Sequence, residues 1–303
     1  MYLLLCAAVF LAAYLLNITW ISVFYHRALA HLAIELGPRM RRFVVAVGPW
    51  ITGMDPQAWV VMHRLHHQHS DTPRDPHSPH NGCIPGVMLA QYHAYIAIQR
   101  GLERGDPELT RRARDLDFPV PAWLRNPVLA LLPYFLHATV AVGFAAATGY
   151  WLLAAAFWVG MMSHPIQGWL VNAFAHSVGH RNFETRDRSR NTWVLGLLIA
   201  GEGLQNNHHA FPASAKFSFR WWEVDPGWTI TRVLDGVGLV SIREAKLIPT
   251  VAEWQRRTEA RRKLAAEFGP ARDAAAALLA RLEPLPESFV AAARETLGEF
   301  VAP

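Results

Sequence analysis

Charge is missing from two long stretches of this 303-residue chain. Residues 1–25 contain no Asp, Glu, Lys or Arg, and neither does the run from Asn126 to His180. Overall only 17% of residues are charged and 52% are apolar, a balance richer in apolar residues than most soluble domains have. The first run is long enough to cross a hydrocarbon core about 30 Å thick as one helix. A cleaved signal peptide is disfavoured, since no basic residues open it and no small-residue cleavage site closes it. The second run would be about 80 Å long as a helix, which suits two spans with a turn near "ATGYW".

Cysteine is nearly absent too. Cys6 and Cys83 have no metal-ligand spacing and form no disulfide framework, so they exclude a structural Cys-based zinc site. Lysine is scarce, with only Lys216, Lys246 and Lys263 among 29 basic residues. Every Lys and Arg falls within residues 26–125 or 181–303. Three spans place those segments on one side, which the positive-inside rule makes cytoplasmic. The sequence pI near 9.5 then reflects orientation and anionic lipid headgroups, and no nucleic-acid motif accompanies the scattered arginines. The arginine bias itself suggests a GC-rich bacterial source.

The expected fold is all-α: an integral membrane helical protein with a cytoplasmic, histidine-rich helical cap. Its organisation divides into a first span (1–25), a cytoplasmic module (26–127), a transmembrane hairpin (128–175), a second cytoplasmic module (176–240) and an amphipathic helical tail (241–303). The apolar stretches "FVVAVGPWITGM" and "TWVLGLLIAG" are too short to span.

Histidine is abundant, with fifteen in the chain, and eight of these fall in four groups beside apolar segments. His26 and His31 are five residues apart and diverge by about 140° on an ideal helix, so they flank a site and can serve two ions. His63, His66 and His67 stand at i, i+3 and i+4, which puts three imidazoles on one helix face. Asn172 and His176 are i and i+4. Gln205, His208 and His209 repeat the second pattern with an amide in the leading place. Imidazole suits iron, zinc, copper and nickel alike. The carboxylates Asp71, Asp75 and Glu202 and the amide Asn206 are the nearest groups for orienting the rings. His69, His77, His80 and His180 lie beside the boxes, and His93, His137 and His164 stand alone.

The ordered set "HRALAH", "HRLHH" with "SDTPRDPHSP", "NAFAH", and "GEGLQNNHHAFP" followed by "WWEVD" resembles the membrane-bound fatty acid desaturases of the stearoyl-CoA (delta-9) type, over about residues 15–245. The resemblance implies two iron ions held by His26, His31, His63, His66, His67, His176, His208 and His209, with dioxygen as co-substrate. It makes Asn172 the holder of an iron-bound water, and Trp59 and Trp169 part of an acyl tunnel. Arg64 is a candidate contact for a charged acyl carrier, or else the partner of Asp71 or Asp75.

Two departures stand out. The family carries a histidine where Gln205 stands, and a two-helix hairpin before the first box where one span fits here, either because the opening helix is lost or because the start is internal. The implied reaction introduces a cis double bond, delta-9 by the resemblance, into a long saturated acyl chain linked to CoA or lipid. With no cytochrome b5 motif and no G-x-G-x-x-G, a separate ferredoxin-type or cytochrome donor with its reductase is required. The implied location is a bacterial inner membrane, N-terminus periplasmic and active site cytoplasmic. The alternatives are a hydroxylase or ketolase of the same iron chemistry, and a non-catalytic membrane metal-binding protein.

Overall fold

The computed structural model describes residues 1–79, 83–126 and 128–243, with single positions at 256, 259 and 263. The chain divides into two units, Met1–Ile248 and Pro249–Pro303, and the description that follows concerns the first. His80 and nearly all of the expected 241–303 tail lie outside the described residues.

Helix α1 (Tyr2–Thr19) runs directly into a π-helical segment, Trp20–Ala30, every residue of which is buried. Buried Asn17 ties this join to two other elements by donating to Ile51 O (3.0 Å) and Met161 O (2.7 Å). Those carbonyls belong to the last turns of helices, where acceptors lack a partner within their own helix. After β1 (Ile34–Leu36), α2 (Pro38–Thr52) ends on Gly53, whose positive φ of 70° lets its N–H close on Pro49 O. Asp55 then caps α3 (Pro56–His69), accepting from Gln57 N and Ala58 N, while Pro56 starts the helix. This Asp-Pro pair satisfies orphan amides and presets φ, and it sets the phase of the helix that carries His63, His66 and His67.

Helices α4 (Gly86–Glu103), α5 (Pro107–Arg112) and α6 (Ala122–Arg125) lead to α7 (Leu132–Thr148). The expected turn at "ATGYW" is present, with Gly149 at φ 79° ending α7 before α8 (Trp151–Met161). The final apolar run is not one long helix: it breaks after Met161, and α9 (His164–Phe174) restarts with Pro165 in its first turn. Proline has no N–H to continue a helical ladder, so it opens a helix more readily than it extends one. Gly160 lets α8 lie against α1, since a Cβ there would stand 2.7 Å from Phe10 O.

Helices α10 (Trp193–Leu198), α11 (Gln205–Ala210) and α12 (Pro226–Gly236) complete the cap. The fold is mostly helical, with one addition to the all-α expectation: β2 (Val240–Ile242) pairs antiparallel with β1, Glu35 opposite Ser241. Two helical stretches, Tyr2–Ala30 and Leu129–Thr148, are long and apolar enough to cross a membrane among the described residues. Leu3, Leu4, Phe135, Val140, Val142 and Leu152 on α1, α7 and α8 are exposed.

Candidate metal centre

Side chains five apart meet when a helix winds with i→i+5 bonds. The bond from His31 N to His26 O at 3.1 Å marks that winding, and it brings the two rings to 4.9 Å between centroids. The divergence expected from α-helical geometry is therefore absent. Both rings enter one group with His63, His67 and His208. Their Nε2 atoms converge: His26 and His208 are 3.0 Å apart, His31 and His63 2.8 Å, His67 and His208 2.9 Å.

A second group gathers His66, His176 and His209, with ring centroids 5.0–5.1 Å apart in every pairing. Each adjacent histidine pair is split between groups, His67 and His208 going to the first, His66 and His209 to the second. Consecutive residues on a helix point about 100° apart, so the two box helices α3 and α11 each feed both groups. The "one face" expected for His63, His66 and His67 is wide enough to feed both groups.

Carboxylates hold the far side of four rings. His26 Nδ1 lies 2.7 Å from Glu202, His66 Nδ1 3.0 Å from Asp75, His176 Nδ1 3.0 Å from Asp71 and His209 Nδ1 2.7 Å from Asp187. An Nδ1–H donating to a carboxylate leaves the lone pair on Nε2, which is the atom each ring turns toward its group. Three of these carboxylates, Asp71, Asp75 and Glu202, are among those expected from sequence. Asn206 is not a ring holder; its Oδ1 accepts from Asn182 N and Phe183 N. Asp187 was missed, because it sits in "ETRDRSRN", which reads as a solvated loop.

Burial pushes His31, His63, His67 and His208 well below the usual histidine range. It takes His209 down to about 4 although Asp187 opposes it. Burial acts the other way on Asp71, but the hydrogen bond and charge of His176 prevail and hold it at about 2. Neutral rings at His31, His63, His67, His208 and His209 and an ionised Asp71 are the protonation states that metal binding needs. The donor chemistry fits a transition metal: buried His66 Nε2, His209 Nε2 and Gln205 Oε1 have no hydrogen-bond partner, a costly state for buried polar atoms unless something else binds them.

Arg27, fully buried, braces the first group. Its guanidinium meets Glu202 at 3.2 Å and Asp225 at 2.9 Å and lies 3.8 Å over the ring of Phe217. Asp225 and Glu223 of "WWEVD" organise the surrounding loops: Glu223 accepts from Asn182, Asn207 and the backbone of Phe219 and Arg220. His180 belongs to this network through Glu223 at 3.0 Å.

A cavity of about 420 Å³ reaches the first group, with His26 and His63 in its lining beside His77, Asn172, Glu202 and Gln205. Trp59 also lines it and stacks on His63 at 5.3 Å and 11°. Trp169 is not in the lining; its indole N–H donates to Ile84 O. Arg64 pairs with neither Asp71 nor Asp75. It grips Asp115 with two nitrogens at 2.6 and 2.8 Å and the carbonyl of Leu29 at 2.8 Å, clamping the end of the π-helical segment. Asn172 donates to Gln91 Oε1 at 3.2 Å. His77 is buried beside His66, ring centroids 4.5 Å apart.

Against known proteins, residues 2–240 match the family model described as fatty acid desaturase. The chain is 33% identical over 222 residues to delta-9 acyl-lipid desaturase 1 of Arabidopsis thaliana, covering 73% of this chain and 69% of that protein. It is 30% identical to the sn-1 stearoyl-lipid 9-desaturase of Anabaena variabilis, covering 73% and 77%. Against the acyl-CoA C20 delta5-desaturase of Anemone leveillei it is 31% identical, covering 72% and 66%.

Proposed function

From the premise that this chain belongs to the fatty acid desaturase family, we propose that it is a dioxygen-dependent di-iron enzyme making a cis double bond, at delta-9, in a long saturated acyl chain. That it is a fatty acyl desaturase, an oxidoreductase acting on acyl-CoA or acyl-lipid, follows from its relatives. The observation that carries the finer reading is a pair of imidazole groups, one of which puts His26 and His63 into the lining of a cavity whose other lining residues are mostly apolar.

His26, His31, His63, His67 and His208 would hold one ion; His66, His176 and His209 the other, with Gln205 as its amide donor. Bound iron supplies the dioxygen chemistry that side chains lack. The overall reaction removes two hydrogens from adjacent methylenes and reduces dioxygen to two waters, using two electrons and two protons from outside. The chain's own part is placement. Glu202, Asp71, Asp75 and Asp187 fix the rings' tautomers, Asn172 would hold a water by its amide, and the cavity walls align the acyl chain and exclude bulk water.

Electrons would come from a ferredoxin-type or cytochrome donor with its reductase. The exposed apolar faces of α1, α7 and α8 suit a bilayer. The basic segments face the cytoplasm in this reading, and the N-terminus is periplasmic in a bacterial inner membrane. Expression in a bacterial host lacking the product tests it: fatty acid methyl esters should gain a cis-monounsaturated species. A hydroxylated product, or active protein that carries zinc without iron, would overturn it.

A further inference from the structure

The stretch "NTWVLGLLIAG" at 191–201 carries no charge, and it leaves the polar cap only to return to it. Thr192 N donates to Gly203 O at 2.8 Å and Asn191 bridges Leu204, so the two ends of the excursion are tied together. Between them runs α10, after which Ala200 and Gly201, at φ 47° and 88°, reverse the chain. Leu195, Ile199 and Ala200 pack with Tyr14 and Ile18 of α1 and with Leu170 and Val171 of α9. The other side of α10 is open among the described residues. Trp193, Val194, Leu197 and Leu198 are 41–60% exposed, and their i and i+4 spacing puts them on one face.

Single apolar residues on a surface need no explanation, but four on one short helix face mark a contact. More stand beside them. Val224 O lies 3.4 Å from a Cβ built on Gly196, so this part of the "WWEVD" loop borders α10, and in it Trp221, Trp222 and Val224 are exposed. The guanidinium of Arg220 lies over the ring of Trp222 at 5.2 Å.

The depth of this face follows from α1. Its 18 residues measure about 27 Å at 1.5 Å per residue, close to the thickness of a hydrocarbon core, about 30 Å. Tyr14 donates its hydroxyl to Leu198 O from a position about 8 Å short of the helix end at Thr19. Helical side chains lean toward the N-terminus, which takes the hydroxyl deeper still. Leu198 therefore stands beside the acyl-chain part of the span, below the level where α1 would leave it. Two residues on, the chain is back at the cap, where Ala200 O accepts from Ser22 and Arg27.

We propose that α10 is a re-entrant membrane anchor: Trp193, Val194, Leu197 and Leu198 insert into the acyl-chain layer of the leaflet that faces the cap, and Trp221 and Trp222 rest at its headgroup boundary. The occupant of the face is lipid hydrocarbon. Tryptophan suits the boundary because its ring is apolar and its N–H is polar, and Arg220 suits lipid phosphates. Irregular backbone at membrane depth is tolerated where protein covers it, and the turn at Ile199, Ala200 and Gly201 is buried. Because α10 leads directly into α11, the anchor holds Gln205, His208 and His209 at the membrane surface. The inference rests on the reading of α1 and α7 as membrane-crossing.

The full-length protein, with one nitroxide at Leu197→Cys in a Cys6→Ala, Cys83→Ala background, is placed in phosphatidylcholine vesicles. Collisions are measured with oxygen, which concentrates in hydrocarbon, and with a water-soluble nickel chelate. Val140→Cys on the exposed face of α7 and Arg186→Cys on the exposed surface of the cap give the lipid and water references. The ratio of oxygen to nickel accessibility at the Leu197 site should match that at Val140 and be reversed at Arg186. A nickel-dominated signal at Leu197 beside a lipid-like one at Val140 overturns the anchor while leaving the membrane reading intact. Low accessibility to both reagents overturns it in favour of a protein partner. A water-like signal at Val140 overturns the membrane reading as well. The unmodified protein gives an independent decision: a phosphatidylcholine with a photoreactive acyl chain should label α10 as well as α7, and labelling of α7 alone overturns the proposal.

Discussion

The two imidazole groups use the same donor yet are built in opposite ways. In the three-membered group every ring is held from behind by an aspartate: His66 by Asp75, His176 by Asp71, His209 by Asp187. In the five-membered group only His26 is so held, by Glu202, and among the described residues no carboxylate holds His31, His63, His67 or His208. Those rings steady each other edge to face, for example His26–His63 at 4.3 Å and His31–His67 at 4.6 Å. Few donors need anionic anchors; many donors crowd into place. Three aspartates also give the smaller group a more negative surrounding, whereas Arg27 offsets Glu202 at the larger.

The largest break in this comparison is His66→Ala. It leaves the smaller group two imidazoles, so bound metal should fall from about two ions to about one per chain, the donor count deciding occupancy, with turnover at background. Metal analysis of the purified protein checks it, and full occupancy would dissolve the division into two groups.

Next come the anchors. Asp187→Asn should cost about 10- to 100-fold in metal affinity or turnover, the range for groups that orient a ligand. Glu202→Gln should move metal affinity less, because crowding still positions His26, and should act mainly on stability by stripping Arg27 of a buried charge partner. Competition with a chelator beside a thermal melt separates the two effects; equal affinity losses would show that anchoring matters alike in both groups.

The smallest change is at Gln205. Gln205→Ala should cost about tenfold in affinity of the smaller group, near the low end for such partners. Gln205→His should keep both ions and narrow the difference between groups by giving the smaller one a fourth imidazole. Wild-type behaviour of the alanine variant would remove the amide from the site.

Much of this was legible in the chain itself, wherever the cause is local. Box spacing on α3 and α11, the Asp55–Pro56 helix start and the Gly149 turn depend on neighbours within one or two helical turns, so sequence determines them. The apolar runs likewise announced their helices, although Pro165 cut the last run in two. What sequence could not decide was long-range or contrary to ideal winding. His26 meets Glu202 and His176 meets Asp71 across 176 and 105 positions. Arg64 chooses Asp115 over nearer aspartates. The π-helical winding of Trp20–Ala30 turns His26 and His31 into one group. Partner choice of this kind is set by where folding brings distant segments together, and the wider winding of this fully buried segment departs from ideal α-helical geometry; neither is present in the order of residues alone.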